Sequence, residues 1–131
     1  MTRSIDPDKY ENYLKKAEGS LSIAKIAITK GAYDNAVMSA VHSAINALDA
    51  LTTSYLGKRA SGSHTDAMSL VKGIFNAGEY QDLQKQYSSL ISMKNASEYQ
   101  ADLMTREDAE KAVKWAERII NKVKDKLKTQ V

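Results

Sequence analysis

The residues best suited to chemistry form a polar line on an otherwise apolar segment in the first half of the chain. A carboxylate beside an imidazole can orient the ring and raise its pKa, so His42, Asn46 and Asp49 could line a polar groove. Such a line could also simply face water, as the polar side of an amphipathic helix does. Its members recur at steps of four and three residues, the spacing of one helix face: Asn35, Ser39, His42, Asn46, Asp49 and Thr53.

Two further positions could contribute a charge to such a groove. Lys94 continues the inward spacing of the apolar residues before it, so its ammonium group either snorkels to solvent or meets a polar pocket. His64 is expected in the first turn of a helix, where exposed backbone amides can bind a phosphate. For both residues, a solvated side chain is the alternative interpretation.

Other chemistries are excluded or disfavoured by what the chain lacks. It contains no cysteine and two histidines, so thiol catalysis and thiolate metal sites are excluded and a zinc site is disfavoured. The segment from Gly57 to Gly62 has the glycine spacing of a phosphate loop, but Ser63 occupies the position of the required lysine. We therefore expect no metal and no cofactor.

Four periodic segments must position these residues. Apolar residues recur at helical spacing over about residues 8 to 30, 33 to 56, 64 to 90 and 105 to 127. The third segment is expected to bend or split at residues 76 to 78, and the fourth opens with Thr105 as N-cap and Asp108 three residues later. No segment alternates with period two, so a sheet is not expected. The sequence predicts one all-α domain over residues 1–131, an up-and-down bundle of four to five antiparallel helices.

Composition and charge indicate the class of protein. Hydrophobic residues make up 43% and charged residues 27% of the 131 residues, as in an ordinary globular domain. No apolar stretch is long enough to span a bilayer or act as a secretory signal, so we expect a cytoplasmic protein without membrane contact. The net charge is +3, and the surplus lies in residues 106 to 131. A basic bias can assist contact with nucleic acid, but its spacing here is that of a solvated helix face.

The order and spacing of these elements resemble those of the HEPN domain over about residues 10 to 125. The family is a small all-α domain of prokaryotic nucleotide-binding and toxin-like proteins. The resemblance is carried by residues 31–37 (GAYDNAV) and 40–51 (AVHSAINALDAL), a glycine-containing loop followed by His64, residues 94–99 (KNASEY), and residues 105–109 (TREDA).

This resemblance implies a homodimer, and for many members a metal-independent ribonuclease that uses an R-x4-6-H motif ahead of the last helix. At that place this sequence has Lys94 to Tyr99, without arginine or histidine. The string Arg59 to His64 satisfies R-x4-H, but it lies one connection earlier in the chain and is interpreted as accidental.

Three functions follow as hypotheses. The first is a homodimeric module, leaning towards no enzymatic activity, that binds RNA or a nucleotide through Asn46, Asp49, Lys94 and Tyr99, together with His64. The second is a ribonuclease, the toxin of a pair with a nucleotidyltransferase antitoxin, with His42 or His64 as base and Lys94 as the cation. The third is a structural bundle in which Asn46 and Asp49 form a subunit interface. Tyr99 is interpreted as a stacking surface, a packed ring or a modification site.

Overall fold

A computed structural model describes residues 2–60 and 64–129, with only the backbone described at residues 64 and 65. The elements within these ranges are, in chain order, β1 (Thr2–Ser4), a short 3-10 helix (Pro7–Lys9), α1 (Tyr10–Thr29), α2 (Tyr33–Leu56), β2 (Lys58–Ala60), α3 (His64–Val71), α4 (Ala77–Tyr99) and α5 (Arg106–Thr129). The all-α prediction with four to five helices is confirmed.

Helix α2 lies at the centre and packs against α1, α4 and α5. The turn into α2 is made at Gly31, which adopts a left-handed φ of 72° that other residues rarely tolerate. The Ser97 hydroxyl donates to the Asp34 carboxylate at 2.9 Å, so α4 ends where α2 begins. The Tyr55 hydroxyl donates to the Lys126 carbonyl at 2.8 Å, so α5 ends where α2 ends. The four long helices therefore alternate in direction, as an up-and-down bundle requires.

Alanine dominates the contact between α1 and α2. Small side chains allow two helix backbones to approach closely, and the buried Ser43 hydroxyl reaches the Ala17 carbonyl across this contact at 2.7 Å. Larger side chains fill the rest of the core, among them Leu48, Leu83 and Ile119. The alanines of the contact region are fully buried: Ala17 and Ala24 on α1, and Ala36, Ala40, Ala44 and Ala47 on α2.

The helix ends match the sequence signals. The Thr105 hydroxyl accepts from the Asp108 amide at 3.1 Å, and the Asp108 carboxylate accepts from the Thr105 amide at 3.0 Å, so the predicted cap of the last helix is confirmed. The third segment is split rather than bent. Helix α3 ends at Val71, and α4 opens with a capping box between Asn76 and Glu79.

A small sheet is the element that the sequence did not predict. Strands β1 and β2 pair antiparallel, with Thr2 opposite Ala60 and Ser4 opposite Lys58. Three-residue strands are too short to show the alternation by which strands are recognised in a sequence. The expectation of no sheet was therefore wrong in this detail, although the fold class is unaffected.

None of the helices in the described ranges is both long enough and apolar enough to cross a membrane.

We expect Ala24→Leu to lower the free energy of unfolding by about 1–3 kcal/mol, because the larger side chain must force α1 away from α2. Chemical denaturation followed by circular dichroism measures this change. Ala77→Leu, on the exposed first turn of α4, is the matched control and should change stability by less than about 0.5 kcal/mol. Equal stability of the two variants would contradict the close contact described for α1 and α2.

Candidate functional site

Asp49 and Arg59 form a partly buried ion pair where α2, β2 and α1 meet. Nη1 of Arg59 lies 3.5 Å from Oδ2 of Asp49, and 8% of the Asp49 side chain and 29% of the Arg59 side chain are exposed. Helix α2 ends at Gly57, whose left-handed φ of 63° turns the chain directly into β2. Pairing with β1 then fixes the backbone at Arg59, opposite Arg3. A buried carboxylate of α2 thus holds a cation supplied by β2.

Two residues of α1 complete this arrangement. The Arg59 guanidinium carbon lies 5.8 Å from the centre of the Tyr13 ring, and the Lys16 ammonium lies 5.5 Å from the same ring. Both distances lie in the range of a cation–π interaction. We call Tyr13, Lys16, Asp49 and Arg59 the Arg59 cluster. When Asp49 is ionised, the cluster holds two positive charges and one negative charge.

The burial of Asp49 opposes its ionisation. Burial raises the pKa of Asp49 to about 6, and the attraction of Arg59 and, less strongly, of Lys16 limits the rise. On α4, burial raises the pKa of the Tyr87 phenol, and the charge of Asp49 raises it further. The charge of Asp49 therefore interacts with Tyr87 of α4 as well as with residues of α1 and β2.

The predicted polar line of α2 runs from the surface into the core. Asn35 and His42 are exposed, whereas Asp49 and Thr53 are buried. The Thr53 hydroxyl is buried without a hydrogen-bond partner among the described residues. The carboxylate of Asp49 pairs with Arg59, and no hydrogen bond between His42 and Asp49 is found among the described residues.

Asn46 lies between these two ends. It is half-buried, and its side-chain amide donates to the His42 carbonyl at 2.9 Å. This hydrogen bond stays within one turn of α2, as side-chain bonds to the preceding turn of a helix do. Asn46 therefore links the exposed and buried parts of the line without touching Arg59.

Lys94 and Tyr99 lie towards the other end of α2. The Lys94 ammonium lies 3.0 Å from the Glu98 carboxylate and is partly exposed, while Tyr99 is 81% exposed. The contact of Ser97 with Asp34 places this end of α4 beside the start of α2. Asp34 and Asp49 are about 22 Å apart along the helix axis, from a rise of about 1.5 Å per residue. Tyr99 and the Arg59 cluster therefore lie near opposite ends of α2.

His64 is the first residue of α3, and its side chain lies outside the described part of the chain. Helix α3 packs against β2, the strand that carries Arg59. The string from Arg59 to His64 therefore begins in the Arg59 cluster and ends at a helix start.

The sequence did not single out Tyr13, Lys16 or Arg59 as site residues. For Arg59 a signal was present in the R-x4-H string, but the strand that presents it was not recognised. Tyr13 and Lys16 give no sequence signal, because their role depends on where β2 packs. Among the side chains that the structure describes, which do not include that of His64, no three His, Asp or Glu side chains come together as metal ligands would.

A cavity of about 870 Å³ lies on the outer side of α5, next to Ile28 of α1. None of the predicted site residues borders it. Several of its charged side chains pair with one another, including Arg106 with Glu110 and Lys111 with Glu107. Its size alone does not make it a site.

We expect the stability of the protein to fall as the pH rises through the pKa of Asp49. The folded-state pKa of about 6 lies above the ordinary pKa of 3.8, so the folded state binds the proton more tightly than the unfolded state does. Asp49→Asn should remove this pH dependence, which amounts to about 2 kcal/mol between pH 4 and pH 7. Denaturation of both proteins across this range measures the difference. The exposed Asp82→Asn is the control and should retain the wild-type profile; a parallel profile for Asp49→Asn would contradict the shifted pKa.

Comparisons with known proteins agree with this architecture. A family model described as the HEPN domain matches residues 10–126. The solved structure of TT1696 from Thermus thermophilus superposes with a TM-score of 0.74 at 21% identity, covering 90% of this chain and 98% of that one. ST0689, an archaeal HEPN homologue, superposes with a TM-score of 0.70 at 22% identity, covering 88% of this chain and 95% of that one. A search of curated proteins gives no match. Because the family model covers most of its length, the chain belongs to the HEPN domain family.

Proposed function

We propose that this HEPN chain binds RNA through a surface that runs along α2 from Lys94 to the Arg59 cluster. The single observation that supports this proposal is the fixed Arg59 guanidinium, which a buried carboxylate holds beside a second cation. Arginine presents several donors in a planar fork, so pairing with Asp49 leaves others available for a phosphate oxygen. An arginine held in place also loses less entropy on binding than a free one.

Charge supports a phosphate ligand at this corner. Arg59 and Lys16 together outweigh Asp49 by one positive charge, and the raised pKa of Asp49 reduces its negative charge further at mildly acidic pH. The cluster attracts a phosphate even when Asp49 is ionised. Protonation of Asp49 would strengthen this attraction, so binding should tighten as the pH falls towards 6.

The extent of the surface favours an RNA strand over a single nucleotide. Lys94 and Tyr99 lie towards the opposite end of α2 from Arg59, with His42 exposed and Asn46 half-buried between the two ends. A single nucleotide cannot contact both ends of a surface that spans about 22 Å along the helix. The exposed Tyr99 ring offers a face on which a base can stack.

A metal-independent ribonuclease is the second candidate function. It is favoured by the position of Arg59, which is oriented by Asp49 and lies five residues before His64 at the start of α3. In such a reaction an imidazole would take the proton of the 2′-hydroxyl, and a guanidinium would stabilise the charge developing on the phosphate. In this ribonuclease Arg59, rather than Lys94, is the cation that stabilises the phosphate. The nucleotidyltransferase antitoxin implied by the family resemblance would then be the partner.

We also propose that two copies associate through the outer face of α1. Ile23 and Ile26 lie one turn apart on this face and are 55% and 52% exposed. Exposed aliphatic side chains at adjacent positions are typical of an interface. The third hypothesis, an interface through Asn46 and Asp49, is less favoured because Asp49 is covered by Arg59 within the chain.

We expect Arg59→Gln to weaken the binding of a fluorescently labelled single-stranded RNA by about tenfold, because one charge-assisted contact to phosphate is lost. Fluorescence anisotropy at two salt concentrations measures both affinity and its salt dependence. Lys94→Ala should weaken binding several-fold. Lys58→Gln is the matched control, since this exposed lysine is adjacent on the same strand but is not in the cluster.

The double variant Asp49→Asn/Arg59→Gln removes the charge pair together, so that no buried carboxylate is left alone, and should bind as weakly as Arg59→Gln. RNA affinity unchanged in Arg59→Gln and Lys94→Ala would overturn the proposed surface.

Gel analysis of the same RNA in EDTA tests the second candidate function, the metal-independent ribonuclease. Cleavage that is lost in His64→Ala and Arg59→Gln supports a ribonuclease, and intact RNA with the wild-type protein rejects it.

Light scattering tests the association of two copies. The double variant Ile23→Glu/Ile26→Glu should be monomeric where the unaltered protein is a dimer, because two carboxylates cannot be desolvated without partners. Gln81→Glu/Gln84→Glu, at two exposed positions of α4, adds the same two negative charges outside α1 and measures the effect of added charge alone. A dimer that survives the isoleucine changes would place the interface elsewhere.

A further inference from the structure

A groove between α4 and α5 lies outside the proposed RNA surface. It consists of two adjoining cavities of about 530 Å³ and 230 Å³, which share Ser89 and Trp115 as wall residues. Trp115 is the single tryptophan of the chain and is half-buried. We call this pair of cavities the Trp115 groove.

The groove exists because α4 presents small side chains where it faces Trp115. Ser88, Ser89 and Ser92 line the larger cavity, and the Ser89 hydroxyl is already engaged, donating to the Lys85 carbonyl at 2.8 Å. Serine fills much less space than the leucines found further inside the bundle, so the helices leave a gap beside the indole ring. The cavity size is in the range that small ligands occupy.

Half of the eight residues that line the larger cavity are apolar. Met93 and Met104 line it together with Ala96 and the Trp115 ring. Thioethers contact aromatic rings favourably, and an indole face favours a flat ring stacked against it. These four side chains give the cavity an apolar wall that a hydrocarbon ring can contact.

The smaller cavity carries an excess of positive charge. Lys85 and Arg118 line it, and neither forms an ion pair with any carboxylate in the described ranges. Asp82 also lines this cavity, which leaves one net positive charge. An arginine without a carboxylate partner is suited to bind a ligand carboxylate through two parallel hydrogen bonds.

We propose that the Trp115 groove binds a small aromatic carboxylate, with its ring against Trp115 and its carboxylate at Arg118 and Lys85. This site goes beyond the proposed RNA surface and uses none of its residues. The charges of the groove fix the orientation of the ligand. Asp108 lines the far end of the larger cavity and repels an anion there, while its own oxygen accepts from the Thr105 amide. The carboxylate therefore points to the opposite end, where the cations are.

Phenylpropionate is a suitable probe, because it carries one ring and one carboxylate and absorbs little where tryptophan is excited. Titration should change the fluorescence of Trp115, the single tryptophan, and calorimetry should give one site per chain. We expect Arg118→Gln to weaken binding about tenfold, and the neutral phenylpropanamide to bind about tenfold more weakly than phenylpropionate. Ser92→Leu, which fills the cavity, should abolish binding; its circular dichroism spectrum and melting temperature establish that it is folded.

Lys114→Gln is the matched control, since this lysine is on the same helix and borders the 870 Å³ cavity, which Arg118 also lines, but does not line the Trp115 groove. Its affinity for phenylpropionate should equal that of the unaltered protein. No binding at millimolar phenylpropionate, or equal binding by Arg118→Gln, would overturn the proposal. Tighter binding of AMP than of phenylpropionate at the same site would also overturn the proposal, because the ligand would then be a nucleotide. RNA affinity is measured separately with Arg59→Gln, so failure of one site is distinguishable from failure of the other.

Discussion

The enclosure of α2 by three other helices is the constraint on which the rest of the structure depends. A helix packed against three others buries part of its polar side, and most buried polar groups need a partner within the fold. Ser43 finds the Ala17 carbonyl on α1. Asp49 has a harder requirement, since a buried carboxylate without a counter-charge is strongly destabilising. Strand β2 meets that requirement by bringing Arg59 to it.

The small sheet is best understood from this requirement. Strands of three residues contribute little stability by themselves. Their pairing, together with the hydrogen bond from the Ile5 amide to the Gly57 carbonyl at 2.8 Å, fixes the backbone just after α2. Arg59 is thereby held over Tyr13 of α1 as well as against Asp49. The N-terminal segment thus contributes to the position of a residue near the middle of the chain.

The helices could be predicted from the sequence because their signals are local. Gly31, Gly57 and Thr105 mark ends that the structure confirms, and each signal depends on neighbouring residues alone. The site could be predicted only in part. Asp49 was identified from its place on the polar line, but its partner comes from a strand without a recognisable pattern. Which of the residues on that line become buried depends on how α1, α4 and β2 pack against α2, and spacing along one helix carries no information about that.

Two of the hydrogen bonds that join α2 to neighbouring helices differ greatly in the length of chain they close. Ser43 bonds to a residue 26 positions away on α1, whereas Tyr55 bonds to Lys126, 71 positions away on α5. Closing a longer loop costs more chain entropy and slows the formation of the contact. The α1–α2 hairpin is therefore expected to form first during folding, and α5 to dock last. A chain still emerging from the ribosome would already hold both α1 and α2, and would expose the apolar face of α2 until α5 arrives.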